Sequence, residues 1–397
     1  MIGVDEALAR VLSAARSLGI ESLPLAAARG RVLAQDVLAL HPLPLFTQSA
    51  VDGYALRHVD LASLPVQLPL AEPIAARAQP VQPVLGPGTA ARILTGGLLP
   101  RGADTVVRQE LTQRHGDAVT VLDAVALGSD IRHAGEEMPA GALVASTGQR
   151  ITPGLIGALS LAGVAQVAVW RLPRIVVLVS GDEVVQGGAP LQLGQVPDAN
   201  GPLLVAFLAE WGLPLTRLES VADTAEAVRD AMARAFAEAD IVLTTGGVSV
   251  GDHDYIPAVA ESLGAKRLLW KVAQKPGMPL YVAEHHGTLL FGLPGNPASV
   301  LVNLMVYVRA ALDAMQSLAP GLRWHTTTVA AQPRRDPVKT LWLRARQHLD
   351  ADGRCQLHPL GGQASHMLGN LAQANALLRV DPVTEVHRDL LRWSALT

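Results

Sequence analysis

The sequence predicts an α/β protein with additional β domains, and three patterns support this prediction. Strand-like and helix-like segments alternate between residues 173 and 320, which is typical of an open parallel sheet. Short β-like runs broken by proline and glycine fill residues 41–139, and alternation of polar and apolar residues returns in residues 321–397. At 397 residues the chain is longer than one ordinary core, so we expect several domains.

The N-terminal segment predicts a helix followed by a short extended stretch. Apolar residues in the first turns recur at helical spacing, which indicates an amphipathic helix. Residues 140–172 contain a short helix between two extended runs and can pack back against that first helix. We therefore expect residues 1–40 and 140–172 to form one composite domain, with a β-rich lobe, residues 41–139, inserted between them.

The segment 173–320 alternates strands and helices along its length. The runs "RIVVLVS" and "DIVLTT" predict buried strands, and "PLYVAEHHGTLLFGLP" predicts a hairpin. The predicted helices are 202–211, 225–237, 254–263 and 297–316. Helices of this length between strands imply parallel crossovers, so this segment should form an open α/β sheet.

The C-terminal segment 321–397 predicts a small β domain. In "TLWLRARQHLDADGRCQLHPL" polar and apolar residues alternate, and Asp352-Gly353 is typical of a tight hairpin turn. The single cysteine, Cys355, follows this turn and is expected to pack inside the domain. One cysteine excludes an intramolecular disulfide framework and any multi-cysteine zinc or iron–sulfur site.

Composition excludes several functional classes. The formal net charge is −3, so the chain has no general attraction to nucleic acid or to an anionic membrane. Apolar residues make up 49% of the chain and charged residues 17%, which excludes a disordered protein. Asp5 and Glu6 stand where a signal peptide would be basic. We expect a globular cytoplasmic protein without nucleic-acid or membrane partners.

Polar clusters follow three strands of the predicted sheet. Gly181-Asp182-Glu183 follows the first strand, and "PGNPAS" follows the last, where Asn296 is expected to cap a helix that begins at Pro297. The loop after "DIVLTT" holds Gly246, Gly247, Ser249, Gly251, Asp252 and Asp254. Each loop alone fits an ordinary turn or cap. Because ligands bind open α/β sheets beyond the carboxyl ends of the strands, the three loops together favour a binding site.

The predicted site combines groups that attract phosphates with groups that repel them. Glycine loops and helix N-termini attract phosphates, whereas carboxylates repel them unless a divalent cation lies between. The carboxylates are those of Asp182, Glu183, Asp252 and Asp254. The combination predicts a Mg2+-assisted reaction on a phosphorylated substrate, and Lys275, directly before a Pro-Gly turn, is expected to meet the phosphate.

Eight motifs extend over nearly the whole chain in a specific order and spacing. They are "QSAVDGYAL", "RILTGGLLPRGADTVVRQE", "VSGDEVV", "PDANGPLL", "TTGGVSVGDHDY", "QKPGMPL", "GLPGNPASV" and "SHMLGNLAQANALL". In these motifs the chain resembles the MoeA family of molybdopterin molybdenumtransferases, which includes the E domain of gephyrin. The resemblance implies insertion of molybdate into the dithiolene of adenylylated molybdopterin, with release of AMP and with Mg2+ present. It also implies an elongated homodimer with a C-terminal β-barrel in each chain, in which the β-rich lobe of one subunit faces the α/β domain of the other.

The loops and the resemblance together imply roles for individual residues. The expected catalytic residues are Asp52, Thr95, Glu183 and Asp254. The expected substrate-binding residues are Arg132, Gly246, Gly247, Ser249, Lys275, Pro294, Asn296, Pro297 and Ser365. Metal is expected at Asp182, Glu183 and Asp252, with Mg2+ as the cofactor and molybdate as a substrate.

Several positions depart from the family pattern. Gln48 stands where the family usually has Asn, Ala199 where it has Ser, and Glu137 where it has Asp. Met278 replaces the second lysine of the usual Lys-Pro-Gly-Lys-Pro. Glu137 keeps its charge, but Met278 removes a cation, so we expect weaker binding of the anionic substrate at this turn.

Two alternatives stay open at this point. One is a molybdopterin adenylyltransferase-type enzyme, because that neighbouring fold also uses a Thr-Gly-Gly loop, and consumption of ATP would identify it. The other is a non-catalytic or altered-substrate paralogue that acts as a scaffold. The upstream adenylyltransferase of the same pathway is an expected protein partner.

Overall fold

The computed structural model describes residues 1–78, 81–248, 254–327, 333–353, 355–382 and 391–396. The chain divides into two compact units. The α/β unit comprises Met1–Glu21, Gly30–Ala34 and Val169–Thr397, and the β-rich unit comprises Ser22–Arg29 and Gln35–Ala168. The four domains expected from the sequence stay a prediction, and the residues of the expected composite domain, 1–40 and 140–172, are divided between these two units.

The helices lie mainly in the α/β unit. They are α1 (Val4–Ala14), α2 (Pro153–Leu161), α3 (Asn200–Glu210), α4 (Ala225–Glu238), α5 (Tyr255–Ser262), α6 (Pro297–Asn303) and α7 (Arg309–Met315). A π-helical segment, Leu304–Val308, joins α6 to α7, and short 3₁₀ turns lie at Leu25–Ala27, His58–Leu61, Gln109–Leu111 and Gly369–Ala372.

The strands are numbered in chain order. Up to residue 170 they are β1 (Ile20–Pro24), β2 (Val37–Leu38), β3 (Gln48–Ser49), β4 (Gly53–Leu56), β5 (Val66–Ile74), β6 (Ala90–Ile93), β7 (Thr105–Arg108), β8 (Thr112–His115), β9 (Ala118–Val121), β10 (Ile131–Arg132), β11 (Leu143–Ala145) and β12 (Gln166–Trp170). Beyond it they are β13 (Ile175–Ser180), β14 (Val184–Val185), β15 (Val196–Pro197), β16 (Leu215–Val221), β17 (Ile241–Thr245), β18 (Lys266–Trp270), β19 (Gln274–Lys275), β20 (Tyr281–His285), β21 (Thr288–Leu293), β22 (His325–Thr327), β23 (Thr340–Leu349), β24 (Cys355–Pro359), β25 (Ala376–Val380) and β26 (Leu391–Ala395).

The α/β unit is built on a six-stranded sheet in the order β16-β13-β17-β21-β20-β18. The first four strands are parallel, and β20 and β18 are antiparallel to their neighbours. Successive residues of β13 face opposite sides of the sheet, so Val177 shares a core with α3 and α6, and Val176 shares one with α4 and α5. Helices therefore cover both faces, as a parallel sheet requires, and the predicted open α/β sheet is confirmed.

The predicted helices of this unit are present, and α3 shows why one boundary differs. The sequence places its start at Pro202, whereas α3 begins at Asn200. One carboxylate oxygen of Asp198 accepts the backbone N–H groups of Asn200 and Gly201, each at 2.9 Å. These bonds satisfy two of the free N–H groups at the helix start. The helix therefore begins two residues before Pro202.

Within the described ranges, one helical run is long and apolar enough to cross a membrane by length and composition. It is Pro297–Met315, and 89% of its most apolar window is buried inside the protein. The run packs against the central sheet of the α/β unit. A helix buried to this extent is typical of the core of a folded protein.

The C-terminal part of the α/β unit holds a second sheet in the order β19-β23-β25-β26-β22, and β24 also pairs with β23. The predicted hairpin is present, and Gly353 in its turn has a φ of 76°, a conformation that favours glycine. The expected packing of Cys355 is wrong, since this residue is exposed. It lies opposite Leu349, which is 64% exposed, in the last residue pair before the hairpin turn. The C-terminal β-barrel stays a prediction.

The β-rich unit contains a six-stranded sheet in the order β7-β4-β6-β5-β9-β8, in which only the β5–β6 pair is parallel. Side chains of the buried strand β4 pack into two hydrophobic cores of this unit. Tyr54 and Leu56 belong to one core, and Ala55 belongs to the other. The short predicted helix is α2, and it begins where the Thr152 hydroxyl accepts the backbone N–H of Leu155 at 3.2 Å.

An ion pair links the residues before β13 to the residue before β17. Asp240 accepts hydrogen bonds from the Arg171 guanidinium at 2.9 and 3.0 Å and from the backbone N–H of Arg174 at 2.7 Å. Burial raises the pKa of Asp240, but hydrogen bonds from both arginines outweigh burial and bring the pKa down to about 2. The ionised carboxylate therefore stabilises the fold at neutral pH, and this stabilisation is lost as the pH falls from about 4 to about 2.

We expect Asp240→Asn to lower the free energy of unfolding by about 2 kcal/mol at pH 7. The difference from the unchanged protein should shrink toward zero as the pH falls to about 2 and below, because Asp240 becomes protonated through this range. Urea unfolding over this pH range measures both values. Asp230→Asn, at an exposed position of α4, is the matched control. A loss that does not vary with pH would contradict the assignment to the carboxylate charge.

Candidate active site

The glycine loops lie where the strand order of the central sheet reverses. From β13 the chain continues to β16 on one side, whereas β17 and β21 lie on the other side. In open α/β sheets, ligands bind at such a reversal, in the crevice outside the carboxyl ends of the two strands. The loop 181–183 leaves β13 at this point, and the loop that begins with Gly246 leaves β17.

The backbone at Gly246 and Gly247 requires glycine. Their φ angles are 87° and 66°, which other residues rarely adopt. A Cβ on Gly246 would lie 3.0 Å from the carbonyl oxygen of Ser180, and one on Gly247 would lie 3.0 Å from a side-chain carbon of Ile256. The glycines therefore allow the loop to turn closely past the end of β13 and the first turn of α5.

The loop 294–296 meets this glycine loop. The N–H of Gly246 donates to the carbonyl oxygen of Leu293 at 3.0 Å, and a Cβ on Gly295 would lie 4.0 Å from the Cα of Gly246. Asn200 donates a side-chain N–H to the carbonyl oxygen of Gly295 at 2.8 Å. The structure thus brings together the two loops that carry Gly246, Gly247, Pro294, Asn296 and Pro297.

Asn200 is a site residue that the sequence does not single out. Its side chain is 9% exposed, and its Oδ1 has no hydrogen-bond partner within the described ranges. An unpaired buried polar atom costs about 1 to 3 kcal/mol, so a ligand that donates a hydrogen bond here would be bound favourably. The only sequence signal is the Asp-x-Asn of "PDANGPLL", which looks like an ordinary helix start.

Asn296 stands directly before α6, as predicted, but its side chain does not cap the helix. The N–H of Ser299 is taken by the backbone carbonyl of Asn296 itself at 2.9 Å, and the N–H of Ala298 is taken by the carbonyl oxygen of Ser365 at 3.2 Å. No first-turn N–H is therefore left for the side chain, so the expected capping role is wrong. The second contact places the predicted residue Ser365 beside the helix start.

The carboxylates after β13 are exposed. Asp182 and Asp223 exchange hydrogen bonds: each backbone N–H donates to the other carboxylate, at 3.4 and 3.2 Å. Glu183 is exposed, and its backbone carbonyl, not its carboxylate, accepts the N–H of Val196 at 2.8 Å. The turn at this position therefore does not require the acidity of Glu183.

The structure describes only part of the predicted metal and glycine-loop set. Ser249, Gly251 and Asp252 lie outside the described residues, and Asp254 precedes α5 without a side-chain capping bond. In the part of the chain that the structure describes, no three His, Cys, Asp or Glu side chains form a metal-binding group. The exposed Asp182 and Glu183 still suit Mg2+, which often binds through one or two carboxylates together with substrate phosphates.

Lys275 is exposed at the end of β19, opposite Leu341 in a parallel pairing with β23. Lys339 directly precedes β23, which begins at Thr340 opposite Gln274. Hydrogen bonds from backbone N–H groups lower the pKa of Asp336, and the positive charges of Lys339 and Lys275 lower it further. The structure therefore adds Lys339 as a second cation near Lys275, which the sequence does not indicate.

Arg344 of β23 is fully buried and incompletely paired. Its Nε donates to Asn370 Oδ1 at 2.7 Å, its Nη2 donates to the carbonyl oxygen of Gly362 at 2.6 Å, and its Nη1 has no partner among the described residues. Burial lowers the pKa of Arg344, but an arginine stays charged in proteins. A buried N–H of a cation close to the Ser365 loop is therefore a candidate anion ligand. The only sequence signal is a charged residue on the buried face of a strand.

The β-rich unit brings two predicted catalytic residues into contact. Thr95 donates both its backbone N–H and its hydroxyl to Asp52 Oδ1, each at 2.8 Å. The backbone hydrogen bond, followed by the hydroxyl bond, lowers the pKa of Asp52. Asp52 is therefore an exposed, ionised carboxylate at neutral pH, with one oxygen fixed by Thr95.

Arg132 of the same unit lies on a neighbouring strand pair. It is exposed and stands opposite Gln48 in the β3–β10 pairing. The adjoining Ser49 exchanges backbone hydrogen bonds with the Thr95 loop, to Gly97 at 3.0 Å and from Gly96 at 2.9 Å. Gln48, one of the departures from the family pattern, therefore lies between Arg132 and the loop that carries Thr95.

Comparison with known families matches the chain in three consecutive parts. The MoeA N-terminal region (domain I and II) matches residues 2–163, a probable molybdopterin binding domain matches residues 176–314, and the MoeA C-terminal region (domain IV) matches residues 327–388. The second match contains the reversal point and its three loops.

Whole-chain relatives agree with these matches. The chain is 37% identical over 369 residues to a molybdopterin molybdenumtransferase of Nostoc sp., an alignment of 90% of this chain and 84% of the relative. It is 33% identical over 387 residues to that of Bacillus subtilis, covering 95% and 89%. The crystal structure of a molybdopterin biosynthesis MoeA protein from Pyrococcus horikosii matches with a TM-score of 0.83 and 26% identity, over 100% of this chain and 99% of that chain. The chain therefore belongs to the MoeA family of molybdopterin molybdenumtransferases, enzymes of molybdenum cofactor biosynthesis.

Proposed function

We propose that this enzyme inserts molybdate into adenylylated molybdopterin and releases AMP, assisted by Mg2+. In the insertion, two dithiolene sulfurs replace one oxide of molybdate, which leaves as water with the two thiol protons. A second water cleaves the phosphoanhydride and leaves AMP and the phosphorylated cofactor. The observation that supports this most is the meeting of N–H-rich glycine loops and exposed carboxylates at the reversal point of one sheet, because this reaction involves both phosphates and a cation.

The described residues take four chemical roles under this proposal. Lys275 and Arg344 would hold anionic oxygens, and Asn200 Oδ1 would accept a donor of the pterin or nucleotide. Asp182 and Glu183 would hold Mg2+, whose chemistry at this site is the neutralisation of phosphate charge. Asp52, held ionised by Thr95, would orient a protonated group or water.

A reconstitution assay tests the proposal. The purified protein is incubated with adenylylated molybdopterin, molybdate and Mg2+, and AMP and activation of a molybdenum-free apoenzyme are both measured. We expect both products to appear together, and chelation of Mg2+ to reduce both. Unadenylylated molybdopterin with ATP is the control. ATP consumption in that control would instead identify an adenylyltransferase, and no product in either mixture would support a scaffold.

Three further properties are part of the proposal. We propose a homodimer, a cytoplasmic location and a complex with the adenylyltransferase that supplies the substrate. Light scattering of the purified protein tests the first property, and fractionation of cells tests the second. Pull-down with the purified adenylyltransferase tests the third, and a monomer or an absence of binding would contradict the corresponding part.

Met278 gives a prediction about anion binding at the turn formed by Lys275, Pro276 and Gly277, the Lys275 turn. We expect Met278→Lys to lower the dissociation constant for molybdate roughly tenfold at low salt, since one partly shielded charge contact of about 1.4 kcal/mol gives this factor. The gain should shrink as salt increases. Calorimetric titration measures it, with Met278→Leu as the uncharged control. Unchanged or weaker binding by Met278→Lys would indicate that Lys339 already supplies the second cation.

A further inference from the structure

The side chain of Gln274 is fully buried next to Lys275 and uses its whole hydrogen-bonding capacity. Its Nε2 donates to the carbonyl oxygen of Gly277 at 2.8 Å and to Asn303 Oδ1 at 2.7 Å. Its Oε1 accepts the Tyr307 hydroxyl at 2.8 Å and the Trp342 indole N–H at 3.0 Å. A neutral amide has two donors and two acceptor sites, so Gln274 is saturated and cannot itself bind a ligand.

These bonds connect the Lys275 turn to three buried elements: α6, the π-helical segment and β23. Asn303 ends α6, and Tyr307 follows it in the π-helical segment. Trp342 belongs to β23, the strand that pairs with β19. All three partner side chains are fully buried. The backbone on both sides of Lys275 is therefore attached to rigid, buried structure, although the lysine side chain is exposed.

The turn after Lys275 also packs too closely on the amides of Gln274 and Asn303 to admit a side chain at Gly277. Gly277 has a φ of 90°, and a Cβ there would lie 3.0 Å from both Asn303 Oδ1 and Gln274 Nε2. Asn303 Nδ2 adds a second, longer bond to the carbonyl oxygen of Gly277 at 3.3 Å. The amides of Gln274 and Asn303 thus form the surface on which the Lys-Pro-Gly turn lies.

We propose that Gln274 is a positioning residue for Lys275, and that its two N–H bonds hold the turn so that the Lys275 ammonium faces the anionic substrate. The proposal rests on the proposed function, because it takes Lys275 as an anion ligand. The bonds to Gly277 and Asn303 are the ones that matter for this role. The bonds from Tyr307 and Trp342 orient the amide and do not touch the turn.

Gln274→Glu separates these two sets of bonds. Ionised or protonated, a glutamate keeps nearly the same shape but cannot donate to both Gly277 and Asn303. We expect the dissociation constant for molybdate, measured by calorimetry, to rise about tenfold, because small displacements of a positioned group have large effects. In the reconstitution assay the KM for molybdate should rise while kcat changes less than about twofold. Tyr307→Phe, which leaves both N–H bonds in place, is the matched control and should bind molybdate normally.

A double-mutant cycle distinguishes positioning from general support of the fold. In a Lys275→Met background, Gln274→Glu should change molybdate affinity less than about twofold, because the group that it positions is gone. An equal loss in both backgrounds, or a fall in kcat without a change in KM, would overturn the proposal. If Gln274→Glu does not fold, Asn303→Ser in the same two backgrounds gives the same test with a smaller expected change.

A spectroscopic readout keeps this test separate from that of the proposed function. The chain has only four lysines, Lys266, Lys271, Lys275 and Lys339, so lysine labelled with ¹³C at Cε gives few signals, and Lys275→Arg assigns the relevant one. Gln274→Glu should move the Lys275 signal and leave those of Lys266 and Lys271 in place. If the unchanged protein does not bind molybdate, the proposed function fails, but a selective shift would still support positioning. An unmoved Lys275 signal would refute it.

Discussion

Asp52→Asn is expected to reduce molybdenum insertion by at least about a hundredfold, the usual effect of removing one preorganised charged group from an active site. The lowered pKa of Asp52 keeps the carboxylate ionised at neutral pH. Asparagine keeps an oxygen that can accept both hydrogen bonds from Thr95, so the substitution removes the charge and preserves the local geometry. AMP release and apoenzyme activation in the reconstitution assay measure the effect.

Two controls separate the charge of Asp52 from its contacts. Asp123→Asn changes an exposed carboxylate elsewhere in the β-rich unit and should leave activity unchanged. Thr95→Val removes the hydroxyl bond but keeps the backbone N–H bond to Asp52, so a smaller loss is expected. Activity that falls only in proportion to the amount of folded protein would show that Asp52 is structural.

Glu183→Gln is expected to have an effect of similar size, again at least about a hundredfold. Glu183 is exposed at the reversal point, and the hydrogen bonds of its turn are made by backbone groups, from Val196 at 2.8 Å and from Val184 to Gly181 at 3.0 Å. The substitution therefore removes the charge without removing a contact that the turn needs. Urea unfolding should give the same free energy for both proteins, whereas the reconstitution assay should show the loss.

The dependence on Mg2+ tests the role given to Glu183. If its carboxylate helps to hold the cation, the Mg2+ concentration for half-maximal activity should rise in Glu183→Gln. Glu210→Gln, at the exposed end of α3, is the control and should show the original Mg2+ dependence. A lower rate with an unchanged Mg2+ dependence would assign Glu183 to the substrate and not to the cation.

The sequence by itself determined the alternation of elements and the edge of the sheet to which the candidate loops belong. Buried parallel strands are continuous apolar runs, so "RIVVLVS" and "DIVLTT" were recognisable from local composition. The loops that carry Glu183, Gly246 and Asn296 follow strands, and a parallel sheet brings the carboxyl ends of its strands to one edge. The predicted start of the helix at residue 225 is confirmed by α4, where the Thr224 hydroxyl accepts the N–H of Ala227 at 3.2 Å.

Tertiary structure decided which polar groups are already paired and which are available. Asn296 looks like a helix cap in sequence, but the carbonyl of Ser365, far along the chain, occupies the N–H of Ala298. Gln274 binds partners at positions 277, 303, 307 and 342. The buried Nη1 of Arg344 has no partner among the residues that the structure describes. Periodicity specifies which face of an element is buried, whereas a hydrogen bond depends on the distance and direction between atoms that only the folded chain brings together. For this reason the sequence predicts where the candidate site lies, whereas it does not predict the pairing of its polar groups.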